Sequence, residues 1–228
     1  RRHLRDVDHL RTGEVVPERR QVPEGYPSGP AAALVAHEPL GSLDDVRSIV
    51  LVEGVSDRIA VETLARRRGV DLAAKRVLVA VLGGVQGTAR MLQLLPRRAG
   101  TTLSGLYDEA DADVVRAALV AHEDMPPHGR LEDAGFFACR EDLEDELIRA
   151  CGADRVEACL ETEGDLTAFR RLQGQPQWRE HPREAQLRRW IASGARRKLR
   201  YARLLVEAAD DERLPLPLIS VLDRAAGD

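Results

Sequence analysis

The chain has 228 residues, 43% of them hydrophobic and 4% aromatic, and a formal net charge of -4. That is enough apolar material for one α/β domain with appendages or two small domains, with a core of Leu, Val, Ala and Ile. The charge excludes a uniformly basic nucleic-acid binder but leaves room for a local basic patch. No run reaches transmembrane length and no apolar signal segment is read, so no membrane partner is expected. Cys139, Cys151 and Cys159 are odd in number and lack CxxC spacing. They read as small buried hydrophobes rather than zinc ligands or disulfide halves, which fits a reducing, cytoplasmic setting.

In chain order, residues 1–44 carry Pro17, Pro23, Pro27 and Pro30 with Gly25 and Gly29 between them, and read as a leader or linker. An apolar run over 47–53 ends in Glu53 and Gly54, as a buried parallel strand would. Ser56 is the expected cap of a helix whose apolar positions include Ile59, Ala60 and Leu64, closed by Gly69. A second strand over 76–82 meets Gly83 and Gly84, and a helix follows over 86–95. A third strand over 102–107 runs into Asp108, with a helix over 111–121 behind it. A fourth strand is predicted over 135–139 and a helix over 142–151.

Alternating strands and helices imply a mostly parallel sheet covered on both faces, with its strand C-termini on one edge. That α/β core is expected over 45–152, and a C-terminal helical extension over 153–228. The extension's helices are predicted over 155–160, 166–172, 185–191 and 195–208, the last of them basic. The histidines, among them His122, His128 and His181, show no ligand spacing. Trp178 and Trp190 read as packing residues.

The chemistry concentrates in carboxylates. Glu53 and Asp108 each stop a strand, so a parallel sheet brings both to the same edge. Asp57 lies one helical turn beyond Glu53, and Glu109, Asp111 and Asp113 crowd Asp108. Facing carboxylates resist ionisation unless a cation is present, and hard oxygen donors suit Mg2+ or Mn2+. The competing reading makes Asp111 and Asp113 ordinary acids of a helix first turn. It is weaker for Glu53, because a charge terminating an apolar strand is costly unless used.

Val50-Leu-Val-Glu-Gly-Val-Ser-Asp57 resembles the opening motif of Toprim domains, and Leu106-Tyr-Asp108 resembles the second, normally DxD. Leu82-Gly-Gly-Val-Gln-Gly87 is similar to the glycine turn between them. Asp142-Leu-Glu-Asp-Glu-Leu-Ile148 and Arg197-Lys-Leu-Arg-Tyr-Ala-Arg203 are similar to later Toprim segments of the OLD (overcoming lysogenization defect) endonucleases. Ala110 stands where a strict DxD has its second acid, so Glu109 or Asp111 would substitute.

The resemblance implies a DNA endonuclease using two ions, Mg2+ or Mn2+. Glu53 and Asp108 would hold one, and Asp57 and Glu144 the second. Lys198 would stabilise charge on the scissile phosphate, while Arg196, Arg197, Arg200 and Arg203 bind the backbone. Glu144 also fits an ordinary acid in a helix first turn. The basic stretch also fits a solvated face with cations gathered toward a helix C-terminus. No GxxxxGK[ST] occurs, so the ATPase that OLD proteins usually carry ahead of this domain is not encoded here. The chain is then either a standalone Toprim protein, for which an ATPase or helicase in trans is the implied partner, or the C-terminal part of a longer one. Two alternatives stand beside this reading: a non-catalytic Toprim module that binds DNA or a partner ATPase, and a phosphotransfer receiver domain. The latter needs a lysine ending its last strand.

Overall fold

The structure, a computed structural model, describes residues 45–95 and 100–227, so the leader predicted over 1–44 lies outside the described residues. The strands are β1 (Ser48–Val52), β2 (Val77–Val81), β3 (Thr102–Asp108) and β4 (Phe136–Cys139). The helices interleaved with them are α1 (Val55–Arg67), α2 (Thr88–Leu94), α3 (Ala112–Ala121) and α4 (Leu143–Cys151). Five more follow: α5 (Ala153–Thr162), α6 (Leu166–Gln173), α7 (Arg183–Ala192), α8 (Ala195–Ala208) and α9 (Leu216–Ala226). No helix of the described residues is long and apolar enough to cross a membrane.

All strand pairings are parallel, in the order β2-β1-β3-β4. The α/β class and the parallel sheet flanked by helices are those expected from the alternation. After β1 the chain steps outward to β2, then returns to place β3 on the other flank of β1. The crossovers therefore diverge between β1 and β3, which opens a crevice at their C-terminal ends.

Both faces of the sheet are covered, which is why its strands read as unbroken apolar runs. Successive side chains of a strand point to opposite faces. Val50, Val52, Val77, Val79 and Val81 join one apolar cluster with Leu64 of α1, Leu147 of α4, Trp190 of α7, Leu205 of α8 and Leu218 of α9. Ile49, Leu51, Leu78 and Ala80 join another with Met91 and Leu92 of α2 and Val115 and Leu119 of α3. Helices from the second half of the chain thus pack directly onto the face of the sheet.

The structure corrects three local expectations. Ser56 lies within α1, whose N-cap is Gly54; the backbone N–H of Gly54 donates to Asp57 Oδ2 at 2.7 Å. The helix expected over 86–95 opens with a 3-10 turn, Val85–Gly87, before α2 begins. Helix α9 was not anticipated, because Pro215 and Pro217 punctuate its start. Pro217 sits in the first turn, where the missing N–H has no helical acceptor to lose, so the helix tolerates it.

Candidate metal centre

Glu53 follows β1 directly and is half-buried. Its backbone carbonyl accepts from Gly83 N at 3.0 Å and from Gly84 N at 3.3 Å, which ties the end of β1 to the turn after β2. Gly83 and Gly84 have φ of 74° and 111°, a region L side chains rarely adopt, so the turn needs glycines. Asp108 ends β3, adjacent to β1 in the sheet. A 3-10 turn, Glu109–Asp111, then carries the chain into α3.

The turn decides which nearby acid joins the pair. Carboxylate oxygens of Glu53, Asp108 and Asp111 all lie within 4.8 Å of one another. Asp111 is the N-cap residue of α3, yet its side chain makes no capping bond. Glu109 is exposed and outside this group, as is Asp113 in the first turn of α3. The strand-type spacing of DxD is thus replaced here by one 3-10 turn, which steps over Ala110.

Asp57, Glu144 and Lys198 form an adjoining group. Lys198 Nζ is 3.3 Å from Glu144 Oε2, and the Glu144 side chain is buried. Asp142 is the N-cap of α4: its Oδ1 accepts from Asp145 N at 2.7 Å and its Oδ2 from Arg188 Nε at 2.7 Å. Arg188 also reaches Glu141 at 3.3 Å.

These acids share one electrostatic field. Burial, then repulsion from Glu53, Asp142, Asp111 and Glu144, pushes the Asp108 carboxyl up to about 7. Burial and the neighbouring Glu144 push Asp57 up to about 7 as well, opposed by the Gly54 N–H and Lys198. Burial raises Glu144 against the pull of Lys198. Burial disfavours the Lys198 ammonium, but Glu144 and Asp57 outweigh it and hold the amine above its ordinary value. Carboxyl groups kept from ionising at neutral pH lack positive charge, and hard divalent cations supply it in the form such oxygen donors prefer. The donor set of Glu53, Asp108 and Asp111 therefore fits a hard divalent cation, while Asp57, bonded to Gly54 N, and Glu144, paired with Lys198, lie outside that cluster.

Composition marks Lys198 in a way periodicity does not. Only Lys75 and Lys198 are lysines among the 34 Lys and Arg residues. An ammonium is a compact point charge with three rotatable donors on a flexible stem, and it is not interchangeable with the planar guanidinium. Lys198 lies on α8 rather than at the end of β4, which separates this arrangement from a receiver domain.

The basic cluster opens α8, at its N-terminal end, rather than closing it; no basic residue stands in the last turn. Arg196 is exposed and makes no ion pair among the described residues. Arg197 donates to the Trp190 carbonyl and, at 2.8 Å, to Ser193 Oγ, with its guanidinium 3.8 Å from the centre of the Trp190 ring. Arg200 pairs with Asp165 and lies 3.5 Å from Glu163. Arg203 pairs with Glu207 at 2.7 Å. Trp190 packs edge-on against Phe169 and Tyr201, as its expected packing role requires.

Residues 46–109 match the family model of the TOPRIM domain of overcoming lysogenization defect protein-like sequences. Among solved structures, the chain resembles the C-terminal region of the Xanthomonas campestris pv. campestris OLD protein, at 21% identity and a TM-score of 0.60, over 80% of this chain and 93% of that one. It also resembles the C-terminal region of the Burkholderia pseudomallei OLD protein, at 19% identity and a TM-score of 0.58, over 80% of this chain and 98% of that one. No match was found among curated proteins. The β1-to-β3 segment that carries Glu53 and Asp108 is thus the segment that matches the OLD-like TOPRIM family, and the chain shares the fold of the OLD C-terminal regions.

Proposed function

We propose that the chain is a divalent-metal-dependent DNA endonuclease that hydrolyses phosphodiester bonds by a two-metal route with Mg2+ or Mn2+. The convergence of Glu53, Asp108 and Asp111 within 4.8 Å at the sheet's switch point carries this reading. Ions held there would supply Lewis acidity and a water of lowered pKa.

The chain's own residues do the rest. Glu53, Asp108 and Asp111 hold the first position, and Asp57 and Glu144 flank the second. Lys198 presents its ammonium from α8 to the negative charge that builds on a scissile phosphate, an electrostatic role that needs no proton transfer. Arg196, exposed and without an ion pair among the described residues, would meet the DNA backbone. An ATPase or helicase partner in trans and a cytoplasmic setting belong to the same reading.

Plasmid nicking tests it. The protein should nick supercoiled DNA with Mn2+ or Mg2+ and not in EDTA. Glu53→Gln, which keeps volume and removes charge, should abolish cleavage with the fold intact. Undiminished nicking by Glu53→Gln would refute the site. Metal-independent DNA binding with no cleavage by the wild type would instead mark a non-catalytic module.

A further inference from the structure

Three cations, Arg196, Arg197 and Lys198, occupy the first turn of α8, and no acidic residue accompanies them. The helix macrodipole disfavours positive charge at that end, so local preference opposes this placement. Gly194, the N-cap, offers no side-chain cap to offset it. The turn is instead fastened from outside. Arg197 grips α7 through the Trp190 carbonyl, the Ser193 hydroxyl and the face of the Trp190 ring. Arg200 grips Asp165, just ahead of α6, and Tyr201 OH donates to the same Asp165 oxygen at 2.9 Å. Trp190 and Tyr201, both buried, meet edge-on at 5.7 Å and close the set between the two grips. Lys198 lies between Arg197 and Arg200 in the chain, and its Nζ is directed instead to Glu144 on α4.

We infer that Arg197 and Arg200 are positioning residues, which clamp the first turns of α8 to Trp190 and Asp165 so that Lys198 reaches the acidic site. They are not phosphate contacts. Arg197 Nη1 and both terminal nitrogens of Arg200 already donate to protein acceptors, and a guanidinium stacked on an indole is not free to follow a DNA backbone. This inference rests on the nuclease reading only for what Lys198 does, not for where it is held.

Two measurements on the full chain test it. The first is kinetic, on Mn2+-dependent nicking. Arg197→Ala should lower kcat by about 10- to 100-fold, the scale of an ångström-sized misplacement of a catalytic group. KM and the dependence of DNA affinity on salt should not change, since no counterion-releasing contact is lost. Arg197→Lys should be no better than Arg197→Ala, because an ammonium reproduces neither the fork nor the stack. In a Lys198→Ala background, Arg197→Ala should cause no further loss, since there is nothing left to position. A flattened salt slope, rescue by Arg197→Lys, or an equal further loss without Lys198 would overturn the inference.

The second measurement does not depend on cleavage. Reductive 13C-methylation labels the two lysines and the terminal α-amine, and Lys75→Arg together with Lys198→Arg identifies which signal is Lys198. At fixed pH and without metal, Arg197→Ala and Arg200→Lys should both move the Lys198 signal toward that of a free side chain. An unmoved signal in both variants overturns the clamp. If Arg197→Ala does not fold, Arg200→Lys alone decides. A wild type that never nicks DNA would refute the nuclease reading, while the Lys198 signal would still decide the clamp.

Discussion

Replacing Asp108 by Asn should make the metal-free domain more stable and the metal-loaded domain less so. Without a cation, burial and the surrounding acids raise the Asp108 carboxyl from 3.8 to about 7. At 1.36 kcal/mol per tenfold change in the equilibrium, that corresponds to about 4 kcal/mol against the ionised folded form. Asp108 is only partly buried, so solvent and counterions screen the site, and about 2 kcal/mol is the working figure. The sign follows from linkage: a carboxyl raised on folding contributes stability below its unfolded value, here 3.8, and loses it as pH rises through about 7. At pH 8 in EDTA, Asp108→Asn should therefore melt roughly 4–8 °C above wild type, for a chain of this size. At pH 5 the folded carboxyl is protonated but the unfolded one is still ionised, so the difference should shrink to less than half its pH 8 value and vanish only below the unfolded value of 3.8. Mn2+ at about 100 times its dissociation constant should add about 2.7 kcal/mol to the wild type and little to the variant, reversing the order. Calorimetric melts at the two pH values, with and without metal, supply the comparison. A variant that melts below wild type at pH 8 in EDTA, yet gains as much from Mn2+, would refute the account of this acid.

Two further outcomes bear on the neighbouring parts. Asp57 both caps α1 through Gly54 and flanks the second position, and paired substitutions separate the roles. Asp57→Asn should keep the cap and lose metal, while Asp57→Ala should lose metal and also cost about 1 kcal/mol; Mn2+ calorimetry and urea melts distinguish them, and two-site binding in either variant would remove Asp57 from the site. A Cβ at Gly87 would lie 2.4 Å from the Leu82 carbonyl oxygen, so Gly87→Ala must shift the turn that holds Glu53. Its expected cost, read from urea melts, is about 2 kcal/mol or more, with weaker Mn2+ binding as the turn moves.

Much of the fold was legible because its strands are buried on both faces and read as short apolar runs. Glu53 and Asp108 stood out for the same reason, as charges that end such runs. The choice between Glu109 and Asp111 was not legible, since it depends on a 3-10 turn that pattern alone does not distinguish from the start of a helix. The work of Arg197 and Arg200 was hidden differently. An arginine stripe has the same spacing whether it faces phosphate or protein, and the partner Asp165 lies 35 residues from Arg200 in the chain. Helix α9 was obscured by prolines that signal a loop wherever they do not fall in a first turn.

That last helix has a consequence for how the protein is made. Leu218 and Val221 of α9 lie against β1, more than 150 residues after Val50 and Val52 have been synthesised. Contacts so distant in sequence are slow to form, because the entropy of closing a long loop must be met before they contribute. During translation, the strand that delivers Glu53 to the crevice emerges early, but its cover on one face, begun by α1, is incomplete until Leu216–Ala226 leaves the ribosome. Acquisition of the acidic site is thereby timed by the end of α9, and a nascent chain stalled before it exposes a valine-rich surface for chaperones to bind.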